Sequence, residues 1–357
     1  MQLFALDLGN RQVKLMSEKA TKVLPSYFVN AAEYGKRDVL ALVKKEEATT
    51  WDYVSGRDSE FTYVWGPGLN VSRKRVTDTL DFNARYDTLE FKVLADLALA
   101  ELARDFEEAS NGVLDVAVIT GVPTDDYDTD DTIKHIKNAL IGVHSATIDG
   151  VSYVVRVHSV DVLMQPVGTA IDAMVDALGN IKDDNEIEDS FVGVVDIGGG
   201  TVIIDAFDNM NLDTDNHDQL EEGSHKLFIE IRNRMVEKGH KISEHEVEQI
   251  VREGNDREVY SWSPNGRETI DLTDIILRER KLYTRNIAQA VKSTYKAMSR
   301  MRKIYVTGGT ANLLIKPEFE RVIKIAEFVR NSETANVRGY YKYGLLNEVT
   351  AVDEATN

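Results

Sequence analysis

Short apolar runs at Leu3–Leu6 and Val13–Met16 predict two opening strands, and short alternating segments continue to about Trp65, where "WGPG" marks a turn. A helix is expected from Thr88 to about Phe106, with Leu89, Val93, Leu94, Leu97 and Ala100 as a mostly apolar stripe. Asp87 is placed to cap it, and Glu90 three residues on gives a capping-box spacing. Val113–Thr120 predicts a buried strand, Thr132–Leu140 a helix, and Ile148–Gly150 the turn of a hairpin. The stretch Asp161–Leu178 reads as a strand end that enters a helix near Pro166, a favoured first helical position.

After the acidic loop Lys182–Asp189 the pattern restarts. A strand, a glycine turn, a strand and an acidic hairpin tip precede helices from Ser224 and over Glu244–Glu253. Ser243 and Glu246 have the capping-box spacing and Gly254 suits the far end. A long helix is expected over Thr273–Ser299 and a final one over Tyr340–Val349; between them Lys303–Leu314 reads as a strand, a glycine turn and a helix start. Each half therefore opens with strand, acid, glycine turn, strand, and later alternates strands with helices. Such an approximate repeat predicts a duplicated α/β unit with a cleft between the copies.

Length and composition narrow the class. The chain has 357 residues, which favours two domains or one duplicated unit, and 43% of them are hydrophobic, enough for sizeable cores. It has no cysteine, which excludes disulfides, thiolate metal sites and cysteine nucleophiles, and fits a reducing cytoplasm. No signal peptide is expected at "MQLFALDLGN", and no apolar run reaches the length of a membrane span. Acids outnumber bases 60 to 42, a net charge of -18, so direct nucleic-acid or anionic-membrane binding is not expected. The short basic run Ser72–Arg75 does not reverse this balance and reads as a solvated loop.

Three glycine turns carry the candidate chemistry: Asp7–Asn10, Asp196–Thr201 and Gly308–Thr310. Glycine lets another molecule approach the backbone, and successive N–H groups in such a turn form an anion nest. Asp7 and Asp196 each end a strand just before a turn. Two carboxylates beside phosphate nests make sense if Mg²⁺ lies between them, held through its waters. Lys14 is placed to reach phosphate as a point charge. One such turn alone is compatible with a plain hairpin; three are harder to dismiss. Neither a G-x-x-x-x-G-K-[ST] loop nor a full G-x-G-x-x-G is present.

In this order the motifs resemble the actin/heat-shock-70/hexokinase superfamily. "LDLGNRQVK" is similar to its first phosphate loop, "QPVGTA" (Gln165–Ala170) to the first connector and "DIGGGT" to the second phosphate loop. "VTGGTAN" (Val306–Asn312) is similar to the adenosine loop and "ANVRGY" (Ala335–Tyr340) to the second connector. Within the superfamily the chain most resembles ParM-type plasmid-segregating actins of Gram-positive plasmids, through "NARYD" (Asn83–Asp87), "TGVP", "IDG" and "NVRGY". The segment between Gly254 and Thr273 matches little.

The resemblance implies an actin-like, ribonuclease-H-like α/β fold with domain I over 1–164 plus 333–357 and domain II over 165–332. It implies a cytoplasmic ATPase that polymerises with bound Mg²⁺ and ATP, or GTP, into a helical filament. The filament would move plasmid DNA through a DNA-bound adaptor of the ParR type. Residue by residue, Asp7, Gly9, Asn10 and Lys14 would meet the β- and γ-phosphates or the Mg²⁺ waters. Asp196 with Gly198, Gly199, Gly200 and Thr201 would hold metal and phosphate from the other side, Gln165 would orient the attacking water, and Gly308, Gly309 and Asn312 would line the nucleoside pocket. Further nucleoside contacts are expected between Ser224 and Glu253.

Other features read as structure. The carboxylate runs Asp125–Asp131 and Asp208–Glu222 lack an EF-hand pattern and read as solvated loops. His240 and His245 are not in a zinc helix, "NVS" (Asn70–Ser72) is a formal sequon without meaning in the cytoplasm, and the aromatic tip Tyr63–Trp65 is either core or a polymer contact. Rival functions on the same fold are a small-molecule kinase, with Asp125 or Asp126 as base, a heat-shock-70-like chaperone, and a cell-shape or phage actin. The chaperone reading is disfavoured because little chain follows the second connector.

Overall fold

The computed structural model describes residues 1–34, 49–69, 76–79, 85–127, 129–183 and 185–356. The run Ser72–Arg75, the sequon Asn70–Ser72, Asn83 and Ala84 of the Asn83–Asp87 motif, and Asp128 and Asp184 of the acidic loops lie outside the described residues. The chain divides into two units, Met1–Asn185 with Asn336–Asn357, and Glu186–Ala335. These boundaries differ from the expected 165 and 333: residues 165–185 stay with the first unit.

In the first unit, β1 (Gln2–Leu8), β2 (Gln12–Met16), β3 (Thr21–Pro25), β4 (Tyr27–Asn30), β5 (Trp51–Ser55), β6 (Tyr63–Trp65), β7 (Thr77–Asp78), β8 (Leu114–Val122), β9 (Gly142–Ile148) and β10 (Val151–Met164) make one sheet. Its order is β3-β2-β1-β8-β10-β9-β5-β6-β4-β7. β1 runs antiparallel to β2 and parallel to β8, and β8 parallel to β10. Period-two alternation along β1 explains how both faces are covered. Phe4, Leu6 and Leu8 enter the core beneath helix α1 (Leu89–Ala103), whereas Leu3 and Ala5 pack with Val337 and Tyr340 of the C-terminal helix (Ala335–Thr356).

Helix α1 departs from the expected stripe. Every residue from Val93 to Ala103 is buried, so it is a core helix surrounded by protein. Its charged interruptions are buried and paired: Asp96 accepts from Ser55 at 2.6 Å and meets His144 at 2.9 Å, and Glu101 accepts from the Tyr53 hydroxyl at 2.5 Å and from Lys22 at 3.2 Å. The cap is Thr88, whose hydroxyl accepts the Phe91 N–H at 3.2 Å. Asp87 is instead drawn to Lys92 at 2.6 Å, so the expected Asp87–Glu90 box does not form. Helix α2 (Asp130–Leu140) follows β8. At the β9–β10 hairpin, Asp149 (φ 48) and Gly150 (φ 86) both lie in the left-handed region, the geometry of a type I′ turn. Tyr63–Trp65 is buried, which settles that aromatic tip as core. Helix α3 (Gln165–Met174) begins with proline in its first turn, as expected.

In the second unit, β11 (Phe191–Ile197) and β12 (Val202–Asp208) form a hairpin, and β11 is parallel to β17 (Lys303–Thr307). The arrangement repeats β1, β2 and β8: an acid near the end of the first strand, an antiparallel return, and a parallel neighbour with Thr-Gly near its end. The small strands β13 (Asn211–Leu212), β14 (Asp218–Leu220) and β18 (Ala326–Phe328) extend this sheet, while β15 (Ser261–Trp262) and β16 (Ile270–Asp271) pair with each other. Helices α4 (Ser224–Glu237), α5 (Glu244–Gly254) and α6 (Thr273–Thr294) share a core with it. The expected capping box of α5 is present, with Ser243 and Glu246 exchanging hydrogen bonds.

Three expectations about ends fail for tertiary reasons. Helix α6 stops at Thr294 rather than Ser299 because the Tyr295 side chain turns into the core, its hydroxyl 2.7 Å from the Asp205 carbonyl and 3.2 Å from that of Val194. After β17 the chain makes a short 3-10 turn, Ala311–Leu313, and the helix that follows, Lys316–Glu320, begins beyond Leu314. The C-terminal helix begins five residues before the expected Tyr340, carrying Asn336 to the Thr169 hydroxyl at 2.7 Å. Among the described residues no helix is long and apolar enough to cross a membrane.

Candidate functional site

The first glycine turn joins β1 to β2, a register that places Asp7 opposite Lys14. Their side chains meet at 3.2 Å, and both are buried. The other Asp7 oxygen, Oδ1, is buried without a hydrogen-bond partner among the described residues. A carboxylate oxygen in that state is costly, and a donor such as a metal-bound water would satisfy it. Gly9 is required by crowding: a Cβ there would sit 2.8 Å from the Gln12 carbonyl and 3.3 Å from the Lys14 ammonium. Lys14, expected only as a free-reaching cation, is thus held beside the turn by Asp7. Asn10 is half-buried in the same turn.

Sequence reasoning did not find what holds this turn from behind. The Arg85 guanidinium donates to the Leu8 carbonyl at 2.6 Å and the Gly9 carbonyl at 2.7 Å, and the Ser26 hydroxyl donates to the same Gly9 carbonyl at 2.7 Å. Burial lowers the Arg85 pKa from its ordinary value. Arg85 lies within the quoted "NARYD" motif, but its partners are far away in sequence, so no local pattern announces its role.

The second glycine turn joins β11 to β12. Its three glycine carbonyls are all taken by donors from the chain around it. Gly198 O accepts from Ser224 N at 3.1 Å and the Thr310 hydroxyl at 2.8 Å, Gly199 O from His225 N at 2.9 Å, and Gly200 O from Gly223 N at 3.1 Å. Since no peptide among the described residues is cis, the amides of Gly199, Gly200 and Thr201 point the opposite way. Consecutive amides aimed to one side are an anion nest. The start of α4 was expected to serve the nucleoside; what it does in the structure is hold the second glycine turn. The only local signal for this was a glycine, Gly223, before a helix, and a Cβ there would lie 2.5 Å from the Gly199 backbone.

The third turn packs against the second. Gly308 has φ 92, and a Cβ on it would lie 2.3 Å from Asp196 Oδ1. Both facts demand glycine, and they place the β17 end against the buried Asp196. Gly309 is buried; Asn312 is exposed, with its carbonyl held by Asn255 at 3.2 Å just beyond α5. The structure therefore groups Asp7, Gly9, Asn10 and Lys14 in one unit, and Asp196, Gly198, Gly199, Gly200, Thr201, Gly308, Gly309 and Asn312 in the other. Gln165 is the first residue of α3, half-buried.

Behind Gln165, α3 crosses the C-terminal helix at a glycine pair. A Cβ on Gly339 would lie 1.8 Å from the Gly168 carbonyl. Asp172 fixes the crossing through Arg338 at 2.5 Å and Lys342 at 2.7 Å. These contacts explain why α3 belongs to the first unit.

Among the described residues no three His, Cys, Asp or Glu side chains cluster to ligate a metal directly. The donor set therefore suits an ion held through water, and the unpartnered Asp7 oxygen fits that role. The acidic runs are more engaged than expected. Asp126 accepts from the Tyr86 hydroxyl at 3.0 Å and burial raises its pKa, and Asp213 accepts from the Asp215 N–H at 2.9 Å. His240 packs edge-on to Trp262.

Hairpin, acid, amide nest and parallel third strand, once in each unit, define an actin-fold protein. Residues 5–168 match the model of the N-terminal domain of actin-like proteins, and residues 192–343 that of the Alp7A C-terminal domain. The chain belongs to the family of actin-like proteins. No curated protein matches it in sequence. Among solved structures it is similar to apo pSK41 ParM, with 22% identity, 98% of each chain covered and a TM-score of 0.71. It is also similar to Bacillus thuringiensis ParM with ATP, with 16% identity, 98% and 99% covered and a TM-score of 0.68. An Alp12 filament structure shares 14% identity over 97% and 99% of the chains, with a TM-score of 0.64.

Proposed function

We propose that this chain is an ATPase that assembles into helical filaments with bound Mg-nucleotide and moves plasmid DNA through a DNA-bound adaptor of the ParR type. The observation that carries the reading is the paired design: each unit presents a turn of aimed amides next to a buried strand-end carboxylate. Asp7 and Asp196 would hold the Mg²⁺ waters, Gly9, Asn10 and Lys14 would meet phosphate in the first unit, and Gly198, Gly199, Gly200 and Thr201 would do so in the second. Gly308, Gly309 and Asn312 would line the nucleoside. ATP is the expected ligand; GTP is the alternative that competition binding decides. When bound, the ion supplies neutralisation of phosphate charge.

Gln165 would orient the attacking water. Its amide is neutral, so it aligns water without strongly deprotonating it, which suits slow hydrolysis gated by assembly. Loss of the γ-phosphate contacts then weakens the lattice. The Gln165→Ala variant is expected to form filaments that persist while phosphate release falls; normal release in that variant rejects the assignment. ATP turnover that rises steeply with protein concentration supports a filament, whereas turnover that needs an added metabolite supports a kinase.

A further inference from the structure

We infer that Arg85 is a positioning residue that aims the amides of Gly9 and Asn10 at bound phosphate. The inference rests on the proposed nucleotide function and adds to it a residue that touches neither phosphate nor metal. Arg85 sits in a short 3-10 turn, Arg85–Asp87, just before α1. Besides Leu8 O and Gly9 O, its guanidinium donates to the Thr79 carbonyl at 3.0 Å and lies 3.4 Å from the Ser26 and Thr79 hydroxyls. The Phe91 and Tyr86 rings wall it in, their centroids 5.2 and 5.7 Å from the guanidinium carbon.

The geometry explains why arginine stands there. In a trans peptide the C=O and the following N–H point in opposite directions. Fixing the carbonyls of Leu8 and Gly9 on Arg85 therefore turns the N–H groups of Gly9 and Asn10 to the far side. A planar fork with five donors can grip two adjacent carbonyls at once, whereas an ammonium is a single point. A cation at the carbonyl end also polarises each peptide and strengthens its N–H as a donor. The second unit aims its turn by a different device with the same result. There the carbonyls of Gly198, Gly199 and Gly200 are held by Thr310 and by the amides of Gly223, Ser224 and His225. Among the described residues no helix-start amide holds the carbonyls of the first turn, and Arg85 with Ser26 takes that part.

The test compares wild type with Arg85→Lys, Arg85→Met, Ser26→Ala and Thr88→Ala, all below the concentration at which filaments form. Thr88→Ala removes the α1 cap, whose hydroxyl donates to the Arg85 carbonyl, without touching Leu8 O or Gly9 O. Three quantities are measured for each: the Mg-ATP dissociation constant, KM against kcat for phosphate release, and the urea midpoint without nucleotide. The Arg85 variants are expected to weaken Mg-ATP binding about 10- to 100-fold, the range for groups that orient a binding group rather than touch the ligand. KM should rise by a similar factor with a smaller change in kcat, Ser26→Ala should show a lesser loss, and Thr88→Ala should lower the urea midpoint but keep affinity. If Arg85→Met does not fold, Arg85→Lys and Ser26→Ala decide the matter. Affinity that falls only in step with the urea midpoint across all variants overturns the inference and leaves the proposed function standing. A wild-type protein that binds no nucleotide overturns both.

Discussion

Asp7 shows how much one buried atom constrains the chemistry. One of its oxygens meets Lys14 and the other has no hydrogen-bond partner among the described residues. An ionised carboxylate left so is unfavourable unless something binds there. Asp7→Asn keeps the shape but weakens the demand for a cation's water shell. Nucleotide affinity in the presence of Mg²⁺ should fall by about 1.5–3 kcal/mol, the range for hydrogen bonds to charged groups. Affinity measured in EDTA should change much less, so the gap between the two titrations should narrow. An unchanged gap would remove Asp7 from the metal site.

At the scale of elements, the α3 crossing with the C-terminal helix makes a prediction whose sign is informative. Glycine to alanine inside a helix ordinarily stabilises by about 1 kcal/mol. At Gly339 the added Cβ would meet the Gly168 carbonyl at 1.8 Å, so the helices must part. Gly339→Ala should therefore destabilise by about 1–3 kcal/mol, the usual cost of overpacking, read as a lower urea midpoint. Stabilisation would mean that the crossing is not tight. Elements held by local chemistry were legible in the sequence: the α5 capping box, the Asp149–Gly150 turn, the proline start of α3, and both strand–acid–glycine hairpins. Elements set by distant partners were not. Helix α6 ends where Tyr295 finds the Asp205 carbonyl, and Arg85 reaches Gly9 across 76 residues. The candidate turns were legible because they need glycine, and glycine is visible in one dimension; the groups that aim them are the Ser26 and Thr310 hydroxyls, the Arg85 guanidinium and backbone amides at the start of α4, which look ordinary there.

The whole molecule carries a net charge of -18, and any self-association must bring like charges together. Raising the salt to about 0.15 M shortens the Debye length to about 8 Å, so filament formation should begin at lower protein concentration there than in dilute buffer. A critical concentration that rises with salt would point to assembly through opposite charges instead. The same net charge predicts that the chain alone does not shift plasmid DNA in a gel, and that a basic adaptor is needed to join them; a shift by the chain alone would contradict that division of labour. The proposed function requires bound Mg-nucleotide to drive this chain into filaments, and sedimentation reads that assembly. Purified protein is spun over a series of concentrations with Mg-ATP, with a nonhydrolysable Mg-ATP analogue, and with neither. Pelleting above a threshold concentration is expected with either nucleotide and none without, and phosphate release from Mg-ATP should rise steeply past the same threshold. Protein that stays in the supernatant under all three conditions, or pellets equally in all three, would contradict the proposed function.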